Sequence, residues 1–325
     1  MTGTGNTGFF GKLPARGDFI KGGGTTQLIA MLDRWISESM NLLSTDPRWR
    51  IQYDSMSPVH FAFVGPHSRL AVVGHLQPSH DASSRRFPFL VASTIECDPE
   101  RSRRGPEAFT ALWEKFAHLV GLARTADEPA SVLQALADID HGQMLAQMLQ
   151  QPPEHAAPDT VTIGEIDHLL THRGHTGSAR RIILSLGIML QPLLGDNRLR
   201  IERGLQLPLP DDPVRRDAIA QIWLNLIFGF LRNSQRELQL LQGQVNGRNT
   251  LVVGFNGASP CPLVTLISPG SAPDALVNLE DPEWVDAHPA LSDDYGIAKL
   301  SSYLSQSDTT LATALATFRE VFFGE

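Results

Sequence analysis

Cysteine is nearly missing from this chain, which holds only Cys97 and Cys261 in 325 residues. That usage excludes a disulfide scaffold and suits a reduced compartment, where both thiols pack as small apolar groups. Positive charge is also in short supply. The 27 Lys and Arg against 35 Asp and Glu leave a net charge of -8, which argues against a nucleic-acid partner, because duplex affinity rests on basic side chains neutralising phosphates. The local cluster Arg101, Arg103 and Arg104 reads as a solvated turn before a helix. Long apolar runs are absent as well: the longest, Ile222 to Leu231, is too short to span a bilayer and is interrupted by Asn225, so no stable membrane insertion is expected. Met1 to Thr7 has no basic start and no apolar run, which reads as no signal peptide and a cytoplasmic location. What the chain does have is 42% hydrophobic content, enough to fill one large domain or two halves.

Periodicity gives the architecture. After Gly22-Gly23-Gly24, Thr25 or Thr26 is placed to cap a helix whose Leu28, Leu32, Trp35, Ile36, Met40 and Leu43 recur at helical spacing, a stripe expected to be core. Val59 to Val64 and Arg69 to Leu76, joined by Gly65-Pro66-His67-Ser68, form the pattern of an antiparallel hairpin. Phe89 to Ile95 reads as a strand covered on both faces. A helix from Pro106 places Phe109, Leu112, Trp113, Phe116, Leu119 and Val120 on one stripe. Ser131 to Gln151 reads as helical with a break near Gly142, and Pro152-Pro153 and Ala156-Ala157-Pro158 then mark a connector. Beyond it, Arg180 to Leu190 is ambiguous between helix and strand, and Leu199 to Leu207 and Thr250 to Phe255 read as strands. A helix from Pro213 and an amphipathic helix through Leu311, Ala314, Leu315, Phe318, Val321 and Phe322 complete the pattern. The expectation is an α+β protein of two associated halves, each an antiparallel or mixed sheet covered by helices. The N-terminal domain spans 1–150, a connector 151–177, and a second α/β subdomain 178–325 packs on the first.

Catalytic patterns are weak. Gly3-Thr4-Gly5-Asn6-Thr7-Gly8 has the spacing of a dinucleotide fingerprint, but no strand precedes it. Leu13 after Gly11-Lys12 stands where a phosphate-binding loop requires Ser or Thr. Glu165, His168, His172 and His175 share helical spacing suited to zinc, yet Gly174 weakens that helix and the ligand set is incomplete. No cofactor, no metal and no catalytic residue are therefore expected. The competing reading is a hydrolase using His75, Asp81 and a serine, Ser79 or Ser84.

Two polar blocks stand out. Gly8-Phe9-Phe10-Gly11-Lys12-Leu13-Pro14-Ala15-Arg16-Gly17-Asp18-Phe19 concentrates charge and turn residues beside aromatics. Pro78-Ser79-His80-Asp81-Ala82-Ser83-Ser84-Arg85-Arg86-Phe87-Pro88-Phe89 does the same before a strand. The first block, followed by a helix bearing Asp33 and Trp35, resembles the N-terminal signature of the TagF/ImpM family of type VI secretion accessory proteins. The second resembles that family's segment in which an Asp precedes a Gly-Arg pair and an aromatic-Pro step; here Ser84 replaces the Gly, and Ala82 stands where a basic residue often follows the Asp. The resemblance implies a non-catalytic cytoplasmic regulator that represses type VI secretion after translation by binding the system's forkhead-associated scaffold protein. Lys12, Arg16, Asp18, Asp81 and Arg85 are expected to converge on one partner-binding patch, since loops on a rigid scaffold are where binding groups concentrate. Whether the arginines brace the loops or reach the partner stays open at this point.

Overall fold

The computed structural model describes residues 7–96, 109–139, 160–171, 177–196 and 199–325. Strand β1 (Thr7–Gly11) pairs antiparallel with the short edge strand β2 (Ile20–Gly23). Gly11 closes β1 at φ +133°, where a Cβ would lie 2.0 Å from the Pro88 carbonyl oxygen. Only glycine lets the chain leave the sheet there and turn towards Lys12. Helix α1 (Thr26–Leu43) starts at Thr25, whose hydroxyl accepts the Leu28 N–H at 3.1 Å. Its stripe is core: Leu32 and Ile36 are fully buried and Trp35 nearly so. The short α2 (Trp49–Asp54) leads to the hairpin of β3 (Val59–Val64) and β4 (Leu70–Gln77), and β5 (Phe89–Glu96) joins β4 to β1.

Helix α3 (Thr110–Thr125) buries Phe116, Leu112, Trp113, Leu119 and Val120 as its spacing predicts. Pro106 and the cluster Arg101 to Arg104 lie outside the described residues, as do the Gly3 to Asn6 part of the glycine motif, Cys97, His172 and His175. Helix α4 (Ala130–Ala137) is the described part of the stretch read as helical to Gln151. Within 151–177, α5 (Ile163–Leu170) begins with a capping box in which Thr162 and Glu165 satisfy each other's backbone N–H. Glu165 is thereby engaged in a helix cap.

Arg180 to Leu190 resolves as helix α6 (Ala179–Leu190). The strand expected over Leu199 to Leu207 is confined to β6 (Gly204–Pro208), because Arg200, Glu202 and Arg203 are solvent-facing charges and antiparallel pairing begins only at Leu205, opposite Val253. Helix α7 (Pro213–Phe230) is capped by Asp212, whose carboxylate accepts the Arg215 N–H at 3.0 Å. Strands β7 (Leu238–Val245) and β8 (Arg248–Gly254) form a hairpin, followed by α8 (Pro260–Ile267), β9 (Leu276–Asn278), α9 (Tyr295–Leu304) and α10 (Leu311–Phe323).

Among the described residues the nine strands form one sheet, in the order β2-β1-β5-β4-β3-β7-β8-β6-β9, antiparallel except for the parallel β6–β9 pair. The expected α+β class with a mixed sheet under helices is present, but the sheets expected separately in the two halves are one. Strand β3 pairs with β7 from His60 opposite Gln242 to Val64 opposite Leu238, which carries hydrogen bonding across the seam. One face of the sheet packs under α3, α6, α7, α9 and α10. The other packs under α1 and α8, where the Trp35 indole N–H donates to the Ser259 carbonyl at 3.1 Å and its ring meets Phe61 and Phe63 edge-on. Two independent stripes of apolar side chains therefore clamp a continuous sheet, and this rigid frame holds the loops at the end of β1 and the end of β4. No helix among the described residues is long and apolar enough to cross a membrane.

Candidate functional site

The site is built around Asp81. Strand β4 ends at Gln77, and the chain then turns through 78–88 before entering β5. Within that loop the Asp81 and Ser84 backbones bond at 2.8 Å, the Arg85 carbonyl accepts the Asp81 N–H at 3.2 Å, and His80 bridges to Arg86. The turn needs one residue in the left-handed region, and Ser84 takes it at φ 60°. That is the position where the resemblance has glycine, so the sequence departure is a backbone one: the serine adopts a conformation that glycine adopts without a Cβ clash.

Asp81 is fully buried, and its carboxylate is saturated. Oδ1 accepts the backbone N–H of Ser83 at 2.9 Å and of Arg85 at 3.0 Å. Oδ2 receives the Lys12 ammonium at 2.9 Å and the Arg85 Nε at 2.7 Å. Burial pushes this carboxyl up, but Lys12, the Arg85 amide and guanidinium and the Ser83 amide outweigh it and hold the group well below the usual carboxylate range. Lys12 is itself only 6% exposed, so neither charge has bulk water to fall back on.

The first block wraps this centre. Arg16 N–H closes a turn on the Leu13 carbonyl at 3.0 Å, the Arg16 carbonyl accepts the Ala82 N–H at 2.8 Å, and Arg85 Nη2 donates to the Gly17 carbonyl at 2.7 Å. Of the five predicted residues, Lys12, Asp81 and Arg85 are thus in direct contact, and Arg16 joins them through its backbone. The Arg16 side chain leaves the cluster for the exposed Glu128, at 3.2 Å, and does not pair with Asp18. Asp18 is exposed and accepts the Phe19 N–H at 2.8 Å. Beneath the loop, Tyr53 of α2 exchanges hydrogen bonds with both backbone groups of Ser79 at 2.9 Å, and Arg86 forms a two-bond fork with Asp54. Glu128, Tyr53 and Asp54 had no sequence signal, since nothing local announces a partner so far along the chain. Phe19 closes the first block and was visible there, but only the fold shows that it stands on the same surface.

The hydrolase arrangement is not formed. His75 bonds to His60 and to Gln77, each at 3.1 Å, while Asp81 is taken by Lys12 and Arg85, so no relay links His75, Asp81 and Ser79 or Ser84. Among the described residues no group of three or more His, Cys, Asp and Glu side chains is placed to hold a metal ion.

Residues 8–139, which contain both polar blocks and the whole Asp81 cluster, match the TagF N-terminal domain, described as type VI secretion system-associated. Over these residues, which are under half of its length, the chain is similar to the N-terminal domain of the TagF family. No curated protein is significantly similar to it. Among solved structures, the crystal structure of PA0076 from Pseudomonas aeruginosa PAO1 is similar at 25% identity, with a TM-score of 0.31, over 45% of this chain and 64% of that one. The match therefore spans under two thirds of that protein.

Proposed function

We propose that the chain is a non-catalytic cytoplasmic regulator that represses type VI secretion after translation, by binding the forkhead-associated scaffold protein of the system through the surface above Asp81. The observation that carries this reading is the convergence of both polar blocks on one buried carboxylate inside the stretch that matches the TagF domain. A saturated, doubly countered aspartate has no free lone pair to activate water or a substrate; its chemistry is to fix loop shape. The residues it positions are recognition groups, with Arg16 and Arg85 carrying guanidinium planes that suit carboxylate partners.

The domain boundaries enter the same proposal. Residues 1–150 hold the recognition loops, 151–177 connect, and 178–325 complete the sheet and stiffen the frame behind them. Pull-down of the purified chain from host cytoplasm, followed by identification of the bound proteins, tests the reading. Recovery of the forkhead-associated scaffold supports it, together with increased secretion in a strain lacking the chain. A partner set without the scaffold, with secretion unchanged, contradicts it.

A further inference from the structure

Phe19 sits on the Asp81 surface in an unusual state: 45% exposed, yet held on several sides. Its ring stacks on Phe10 with centroids 5.6 Å apart and planes 7° from parallel, and meets Phe87 edge-on at 4.8 Å. The Lys12 ammonium lies 4.7 Å from its centroid, so the same cation that neutralises Asp81 also caps the ring. Asp18 fixes the backbone by accepting the Phe19 N–H. An exposed aromatic normally loses rotamer freedom when it binds; this one has already lost it on folding, so ordering it costs association little. Phenylalanine and arginine are both enriched at the cores of protein interfaces.

The donor beside the ring points to the occupant. Lys12 and Arg85 share a single carboxylate, Asp81. The Arg85 side chain is 59% exposed. Its Nε is committed to Asp81 and its Nη2 to the Gly17 carbonyl, while Nη1 has no partner among the described residues. The exposed acids Glu128 and Asp18 have other contacts: Glu128 pairs with Arg16, and Asp18, which keeps its charge, accepts the Phe19 N–H.

Resting on the functional reading above, we infer that Phe19 is the apolar anchor of the partner surface, and that the scaffold segment it takes presents an apolar side chain next to a carboxylate, the first on the Phe19 ring and the second on Arg85 Nη1. The ring supplies the buried contact, and the guanidinium sets the register and excludes segments lacking the acid.

The test is titration of the full chain with the host's forkhead-associated scaffold protein at low and high salt. Phe19→Ser is expected to weaken binding at least thirtyfold with an unchanged unfolding midpoint, while Phe19→Leu stays within fivefold of the wild type. Arg85→Lys, which keeps a cation for Asp81 and removes the outward nitrogen, is expected to weaken binding at least tenfold and to flatten its salt dependence. Should Phe19→Ser not fold, a photoreactive benzoylphenylalanine at position 19 keeps a ring in place and is expected to crosslink to the scaffold, whereas the same group at position 284 is not. Wild-type binding that is matched within threefold by Phe19→Ser, or a scaffold that crosslinks from 284 and not from 19, overturns the anchor and leaves the functional reading standing. A scaffold that the wild-type chain does not bind at all overturns the functional reading and the anchor with it.

Discussion

The imidazoles of His60 and His75 face each other across β3 and β4 with their Nδ1 atoms 3.1 Å apart, so one proton serves both nitrogens. Its position follows from a cation at the end of the chain of bonds. Arg124 Nη1 donates to Gln77 Oε1 at 2.8 Å, which turns the Gln77 amide so that Nε2 donates to His75 Nε2 at 3.1 Å. His75 must then carry its proton on Nδ1 and donate it to His60, which keeps its own on Nε2. The pair lies under α3, with the Trp113 ring stacked on His60 at 5.2 Å, Gln242 beside it on β7, and the charge of Arg216 reaching it from α7.

Both histidines should therefore destabilise the fold when acid charges them. Burial, with Arg216 adding, lowers His60 to about 4, and burial, with His60 adding, lowers His75 well below the usual 6.5. A base whose folded value is depressed binds fewer protons folded than unfolded, so stability falls as pH drops through 6.5 and continues to fall to about 4. His60 alone contributes about 3 kcal/mol of loss over that window. Asp81 acts lower: its depressed carboxyl contributes stability that is fully present above the ordinary carboxylate range and is lost progressively as pH falls from that range to its folded value. Urea midpoints at pH 7, 6 and 5 check the prediction; a flat profile from 7 to 5 contradicts it.

Ser84→Gly should stabilise the chain by about 0.5–1 kcal/mol, because relief of the left-handed conformation outweighs the extra freedom glycine gains when unfolded. Partner affinity should not change. A lower thermal midpoint would show that the serine side chain contributes more than its backbone costs.

Trp35→Ala should cost about 3–5 kcal/mol, the range for emptying a buried aromatic site. The change also removes the bond to Ser259 that ties α1 to the start of α8, so the loss should extend to both halves of the sheet in one cooperative transition. An unchanged unfolding midpoint in denaturant would place this face outside the core.

Arg16 and Arg85 should separate by what they hold. Arg16→Ala removes an exposed pair with Glu128 and should alter stability by under about 1 kcal/mol while lowering scaffold affinity, since its backbone bond to Ala82 remains. Arg85→Ala should lower both, because it withdraws a guanidinium from a buried carboxylate and frees the Gly17 carbonyl. Equal thermal midpoints for the two variants would contradict this division.

Much of this was legible because local chemistry announced it. The Thr25 cap, the β3–β4 hairpin and the stripe of α3 follow from residue spacing, and the two polar blocks from charges placed beside turn residues, whereas the pairing of Lys12 with Asp81 across so long a stretch of chain has no local signal. Strand β7, which makes the sheet continuous, carries no such local signal in its own residues. Leu238 to Val245 is interrupted by three glutamines and a glycine, which hides the run of strand-forming residues that marks β3 and β5. Its signal lies in the turn: Asn246 and Gly247 both have positive φ, 51° and 77°, the backbone of a tight hairpin that an Asn-Gly pair favours. Arg180 to Leu190 was ambiguous because apolar residues occur on nearly all sides, as they do in a helix buried in the core. The reach of Arg16 to Glu128 is set by where α4 docks, which no local pattern encodes.

Amide hydrogen exchange on the purified chain, free and bound to the forkhead-associated scaffold protein, tests the central claim most directly. Exchange over 12–19 and 80–86 is expected to slow on complex formation, an effect abolished by a Lys12, Arg16, Asp81 and Arg85 quadruple alanine variant that still folds. A footprint confined to 276–325, with both polar blocks exchanging as in the free chain, would contradict it.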